Sequence, residues 1–171
     1  MQFLAVILGL TASVSAIDIG LRNWGGCDSR GGGWVCTNWN PNSCCGIPSG
    51  TVSSVVFYAI PNNWFLELRG HEGGNCNALK TVDTIFGGTE KCLNSGPYTG
   101  AGYSFRSRKR GVEGTTCTTT TMPDVLFLGD GQRYNIVDMD SSLIEELAGF
   151  AQNGSVVADI PEVFKAFEIA A

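Results

Sequence analysis

The sequence predicts a mainly β fold, α+β overall: a small antiparallel β sandwich or barrel stapled by disulfides, followed by a β-hairpin and one or two short helices. Three observations predict it. Seven cysteines sit in a chain with one histidine, which favours a disulfide framework over a metal site. Turn-forming Gly and Asn clusters punctuate residues 17–110 at short intervals, with β-type runs between them. A 3.6-residue apolar period emerges only after residue 140.

Residues 1–16 read as a secretory signal peptide. The segment carries no charged side chain, its apolar run Phe3–Leu10 is too short to span a bilayer, and Val14-Ser15-Ala16 places small residues where signal peptidase cuts. No later stretch reaches the about 18 apolar residues that a membrane span needs, and no retention or lipid-anchor pattern closes the chain. The expected location is extracellular, with no stable membrane insertion.

In residues 17–110, the cysteine-rich β domain, strands are expected at Ser53–Ile60, Trp64–Arg69, Thr81–Phe86 and Ala101–Arg106. Trp64, Leu66 and Leu68 share one face of theirs. Cys27, Cys36, Cys44, Cys45, Cys76 and Cys92 are the expected disulfide formers. The neighbours Cys44 and Cys45 are expected to take different partners, because adjacent cysteines bridge only with strain. The seventh, Cys117, leaves an odd number and with it the option of a disulfide-linked dimer.

Residues 111–171 form an acidic hairpin-helix region. Threonines around Cys117 predict an extended linker that could carry O-glycans. Val125–Leu128 and Gln132–Val137 flank Gly129-Asp130-Gly131 as a hairpin whose Asp-Gly supplies positive φ. Asp140, Ser141 and Ser142 are N-cap candidates, Ser142 with Glu145 fits a capping box, and Leu143, Leu147, Phe150 and Ala151 share a helical face ending at Asn153-Gly154. A second short helix is expected over Asp159–Phe167, with Pro161 near its start. Asn153-Gly154-Ser155 is an N-glycosylation sequon.

Charge divides at the same place. Residues 17–110 hold nine basic and six acidic side chains, and residues 111–171 hold two and ten. At the junction lies Arg106-Ser107-Arg108-Lys109-Arg110-Gly111. The run resembles the target of furin- and kexin-type convertases, which implies cleavage after Arg110 and makes the acidic region a possible pro-segment.

Candidate chemistry is sparse. His71, Glu72 and Arg69 could supply a base, an orienting carboxylate and an anion contact for a small hydrolase. No Gly-x-Ser-x-Gly elbow or Cys-x-x-Cys zinc pattern accompanies them, so neither metal nor cofactor is expected. Trp24, Trp39 and Trp64 lie beside Gly/Asn-rich turns, where indoles could stack on sugars. The spacing Cys27-x8-Cys36-x7-Cys44-Cys45 resembles the opening of hevein-type chitin-binding domains. The likeness stops at Gly46, beyond which the aromatic and serine sugar contacts of that family are missing, so no sugar-binding residue carries over. Acidity argues against a nucleic-acid partner.

The neutral signal peptide, the Cys44-Cys45 pair in an Asn/Pro/Gly setting and the kexin-like site resemble the small secreted cysteine-rich proteins of filamentous fungi, at the level of a class. That class implies a non-enzymatic effector or toxin-like protein whose partner is a host or competitor protein, or a cell-wall glycan. The alternatives are a carbohydrate-binding module and a small hydrolase using His71.

Overall fold

Ile17, Ile19 and Leu21 alternate with polar or small residues, and this period of two makes Ile17–Arg22 the first strand, β1, with those three side chains fully buried. The computed structural model describes residues 16–106, Cys117 and residues 119–170. Residues 1–15 of the expected signal peptide and the Lys109-Arg110 cleavage site lie outside the described residues.

Eleven further strands follow. They are β2 (Gly33–Trp39), β3 (Ser43–Gly46), β4 (Ser54–Tyr58), β5 (Phe65–Glu72), β6 (Ala78–Phe86) and β7 (Lys91–Leu93). Then come β8 (Gly100–Phe105), β9 (Thr119–Thr121), β10 (Val125–Phe127), β11 (Arg133–Asn135) and β12 (Glu168–Ile169). They form a sandwich. The first sheet runs β12-β11-β10-β2-β1-β4-β7 and the second β6-β5-β8-β3-β9. All pairings are antiparallel except β3 with β9.

The core lies between the sheets. Ile19, Leu21, Val55, Phe57 and Leu126 of the first meet Leu66, Leu68, Ala101 and Tyr103 of the second. Each such side chain contributes roughly 1.5–3 kcal/mol when fully buried.

Strand alternation explains the vicinal cysteines. Cys45 points into the core and bonds Cys36 of β2, tying sheet to sheet, while Cys44 points to the outer face and bonds Cys76 in the turn after β5. Cys27 bonds Cys92 of β7. All six expected cysteines are paired, and Cys117 is free.

The four strands expected in the cysteine-rich region form within one to three residues at most ends as β4, β5, β6 and β8. The strand over β5 extends past Arg69 to Glu72, so His71 sits in a strand and not in a glycine-rich loop. The hairpin forms as β10 and β11 around Gly131, whose φ is +95°. It joins the first sheet: β10 pairs with β2, and Asp124 accepts hydrogen bonds from both the backbone N–H and the hydroxyl of Thr37.

The expected helix is Ser141–Gln152 (α1), burying Leu147, Ala148 and Ala151 over the end of the core beside Trp34. Its N-cap position is Asp140, with no side-chain cap bond, so Ser142 and Glu145 do not form the expected capping box. The chain leaves α1 through Gly154 at φ +75°, leaving Asn153 exposed. The second helix is a 3-10 segment, Glu162–Phe167, entered from Pro161 and anchored by buried Phe164.

Candidate functional site

The outer face of the second sheet, turned away from the core, gathers the chemically distinctive residues. On β5, Glu67, Arg69 and His71 alternate onto this face with Leu66 and Leu68 on the other. All three are buried. Arg69 donates through Nε and Nη2 to Glu67 Oε1 at 2.9 and 2.6 Å, and through Nη2 to Ser104 Oγ at 3.0 Å. A charged pair removed from water needs this degree of satisfaction to be tolerated.

His71 is 6% exposed, and neither ring nitrogen makes a well-formed hydrogen bond. Burial first, then the charge of Arg69, hold its pKa below the ordinary histidine value, and the nearby Ala78 backbone works weakly the other way. The folded protein therefore resists protonation more than the unfolded chain does. The contribution of His71 to stability is expected to stay level above about pH 7 and to fall as pH drops below about 6.5, where the unfolded chain takes up its proton first. His71 is the only histidine, so a His71→Phe variant that keeps the full loss of stability between about pH 6.5 and 5 in chemical-denaturation curves would contradict this assignment.

Among the sequence-predicted site residues, Arg69 and His71 share this face. Glu72, the next residue along the strand, turns the opposite way and pairs with Lys80 at 2.5 Å. Glu67, and not Glu72, is the carboxylate on this face, and it pairs with Arg69 instead of orienting His71. The signal that could have found it is the two-residue spacing of Glu67, Arg69 and His71 along a strand.

The edge of this sheet is apolar. Across from Phe65, Arg69 and His71 stand Phe86, Val82 and Leu79 of β6, each on the same outer face as its partner. They are 61%, 49% and 55% exposed. β6 hydrogen-bonds to a strand on one side only among the described residues. Phe65 meets Phe86 edge-to-face at 6.1 Å, and Arg106 lies 5.8 Å over the Phe65 ring. Around the end of the sheet, Trp64 meets the exposed Phe105 edge-to-face at 4.8 Å. The tryptophans do not converge. Trp39 is half-buried, with Nε1 donating to the Ser43 carbonyl at 3.1 Å, and Trp24 stands exposed against Gly31 in the turn before Cys27.

An apolar cleft of about 350 Å³ lies between Ile47–Gly50 and α1, floored by Trp34, with Glu145 its one charged lining residue. Its other polar lining residues are Ser49, Ser141 and Gln152. Among the described residues, the group able to surround a metal is Cys44, Cys76 and Cys117. A disulfide occupies two of its sulfurs.

Residues 18–124 match the model of the ARB_05566_N N-terminal domain, and residues 129–171 match that of the ARB_05566_C C-terminal domain. β10 lies between the two matched regions, and the first sheet takes β1, β2, β4 and β7 from the first region and β11 and β12 from the second. The chain is 26% identical over 123 residues to a protein of Arthroderma benhamiae named only as an uncharacterized secreted protein. The match covers 68% of this chain and 65% of that relative's length. No solved structure matches. No helix among the described residues is long and apolar enough to cross a membrane.

Proposed function

The chain belongs to the ARB_05566 family and is a small secreted, disulfide-bonded protein, and from that premise we propose that it is a non-enzymatic effector that binds a protein on another cell. The binding surface is the outer face of the second sheet at its β6 edge, and the partner adds an extended strand there. One observation carries this reading. Three large apolar side chains, Leu79, Val82 and Phe86, stand exposed on one face of a nine-residue edge strand. Long edges with apolar side chains are ordinarily blunted by charge or covered, because they template pairing with another chain. An added strand would bond to the side of β6 away from β5, where no described strand pairs with it, and lay alternate side chains across this stripe.

A stacking platform for polysaccharide fits less well. The rings here meet edge-to-face, with interplanar angles of 66° and 81°, which makes a ridged surface instead of a flat one. Exposed Trp24 is the observation that favours the carbohydrate reading, and it stands apart from the other rings.

The test labels the protein fluorescently and measures binding to intact host or competitor cells. Phe86→Lys with Val82→Lys is expected to weaken binding by about 2 kcal/mol or more, roughly thirtyfold, as for the loss of central apolar contacts. Circular dichroism would verify the fold, since both side chains are exposed. Unchanged cell binding by the double variant contradicts the proposal. Retention of the wild-type protein on chitin, cellulose or β-glucan, lost in Trp24→Ala, would favour the carbohydrate reading instead.

A further inference from the structure

The three sulfurs of Cys44, Cys76 and Cys117 lie within 4.8 Å of one another on the outer face of the second sheet. The sheet is built to admit them. A Cβ at Gly102 would approach the Cys117 sulfur to 3.1 Å, and one at Gly100 would approach the Cys76 sulfur to 2.8 Å. Gly102 faces Cys44 across the β3–β8 ladder, and Gly100 faces His71 across β5–β8. Two glycines on β8 thus leave room for a free thiol to rest against an existing disulfide.

We propose that Cys117 exchanges with the Cys44–Cys76 disulfide, forming a Cys44–Cys117 bond and releasing Cys76 as a thiol. Cys117 gives its proton to solvent, and its thiolate attacks the Cys44 sulfur. The Cys44–Cys76 bond breaks, its electron pair leaves on the Cys76 sulfur, and that sulfur takes up a proton. One disulfide and one thiol are present before and after, so no oxidant or reductant is needed.

Burial decides which sulfur leaves. Cys44 is fully buried within β3, whereas Cys76 is only partly buried in the turn that follows β5. A thiolate leaving on Cys76 is solvated, and one leaving on Cys44 would be stranded in an apolar setting. Burial pushes the Cys117 thiol up, against the opposing pull of the Arg69 charge, which keeps Cys117 largely protonated near neutrality. The 73–77 turn keeps other anchors after exchange: Asn75 N–H donates to the Ile47 carbonyl at 2.8 Å, and the Thr99 hydroxyl donates to the Asn75 carbonyl at 2.8 Å. Exchange therefore presents a thiol at the surface without unfolding the sandwich. It also ties the chain beyond Arg110 to β3, so a cut after Arg110 would leave the two pieces covalently joined.

The full secreted chain, held oxygen-free at about pH 8, where a cysteine of ordinary pKa is partly thiolate, would be acid-quenched, alkylated and digested without reduction. Mass spectrometry is expected to find two exclusive populations. One carries Cys44–Cys76 with alkylated Cys117, and the other carries Cys44–Cys117 with alkylated Cys76. Their interconversion should be independent of protein concentration. In Cys117→Ser, alkylation of Cys76 should fall to background. Finding Cys44–Cys76 alone in the wild-type chain would overturn the proposal. So would new linkages at Cys27, Cys36, Cys45 or Cys92, which would mark general scrambling.

Discussion

Replacing Cys27 and Cys92 with Ser is expected to cost about 4 kcal/mol of unfolding free energy, the largest loss from any of the three bridges on chain-entropy grounds. The bridge closes a separation of 65 residues, against 32 for Cys44–Cys76 and 9 for Cys36–Cys45. Chain entropy alone gives about 3.7 and 2.6 kcal/mol for those two. Both Cys27 and Cys92 are only partly buried, so Ser adds little penalty of its own. Cys36 and Cys45 are fully buried in the core, and Ala there adds lost packing to the entropic term. The Cys36→Ala, Cys45→Ala variant should therefore approach the Cys27→Ser, Cys92→Ser variant despite its shorter loop. Against a total stability of about 5–15 kcal/mol, either loss is large, and each should lower Tm by roughly 8–16 °C. Urea unfolding checks the ranking, and a loss below about 1 kcal/mol for Cys27→Ser, Cys92→Ser would contradict the entropic account.

Glu67→Ala should cost about 3–5 kcal/mol, because it removes the carboxylate that compensates Arg69 inside the protein. Its cause is distinguishable from simple loss of packing. A double variant, Glu67→Leu with Arg69→Leu, removes both charges and is expected to recover most of the loss, since apolar replacement of a whole buried pair is often neutral. Ser104 would then lose its Arg69 partner, leaving a hydroxyl that costs about 1–3 kcal/mol if it finds no other. Equal instability of the single and double variants would show that the site needs the ion pair itself, and not merely freedom from an unpaired charge.

Much of the fold can be read along the chain because its periods are local. Ser53–Ile60, Trp64–Arg69 and Ala101–Arg106 are short apolar runs between turn formers, and they become β4, β5 and β8. The hairpin around Gly131 and the helix carrying Leu147 and Ala151 are likewise set by near neighbours. β2 and β3 are harder to read. Gly33–Trp39 and Ser43–Gly46 sit among Gly and Asn residues that predict turns, and pairing with distant partners makes them strands: β2 lies between β1 and β10, and β3 between β8 and β9. Propensity yields there to tertiary context.

The candidate site follows the same rule. Arg69 and His71 are legible as a pair, but which carboxylate shares their face is not. Adjacent residues alternate across a strand, so Glu72 faces away and Glu67 shares the face of Arg69 and His71. The apolar stripe was hidden for another reason. Leu79, Val82 and Phe86 are unremarkable in sequence, and their exposure depends on β6 lying at an edge of the sheet. The sequence fragment Thr81–Phe86 also stops short of Leu79, on the far side of an irregularity in the β5–β6 register.

Hydrogen exchange of the secreted protein, free and bound to target cells, locates the binding edge residue by residue. In the free protein β6 pairs with β5 alone among the described residues, and its amides that point away from β5 should exchange fast. Strand addition gives them one. The expected result is slowed exchange concentrated in residues 78–86 on binding, abolished by Phe86→Lys with Val82→Lys. Protection centred on Trp24 or on the cleft beside α1, with residues 78–86 unchanged, would contradict the assignment of β6 as the binding edge.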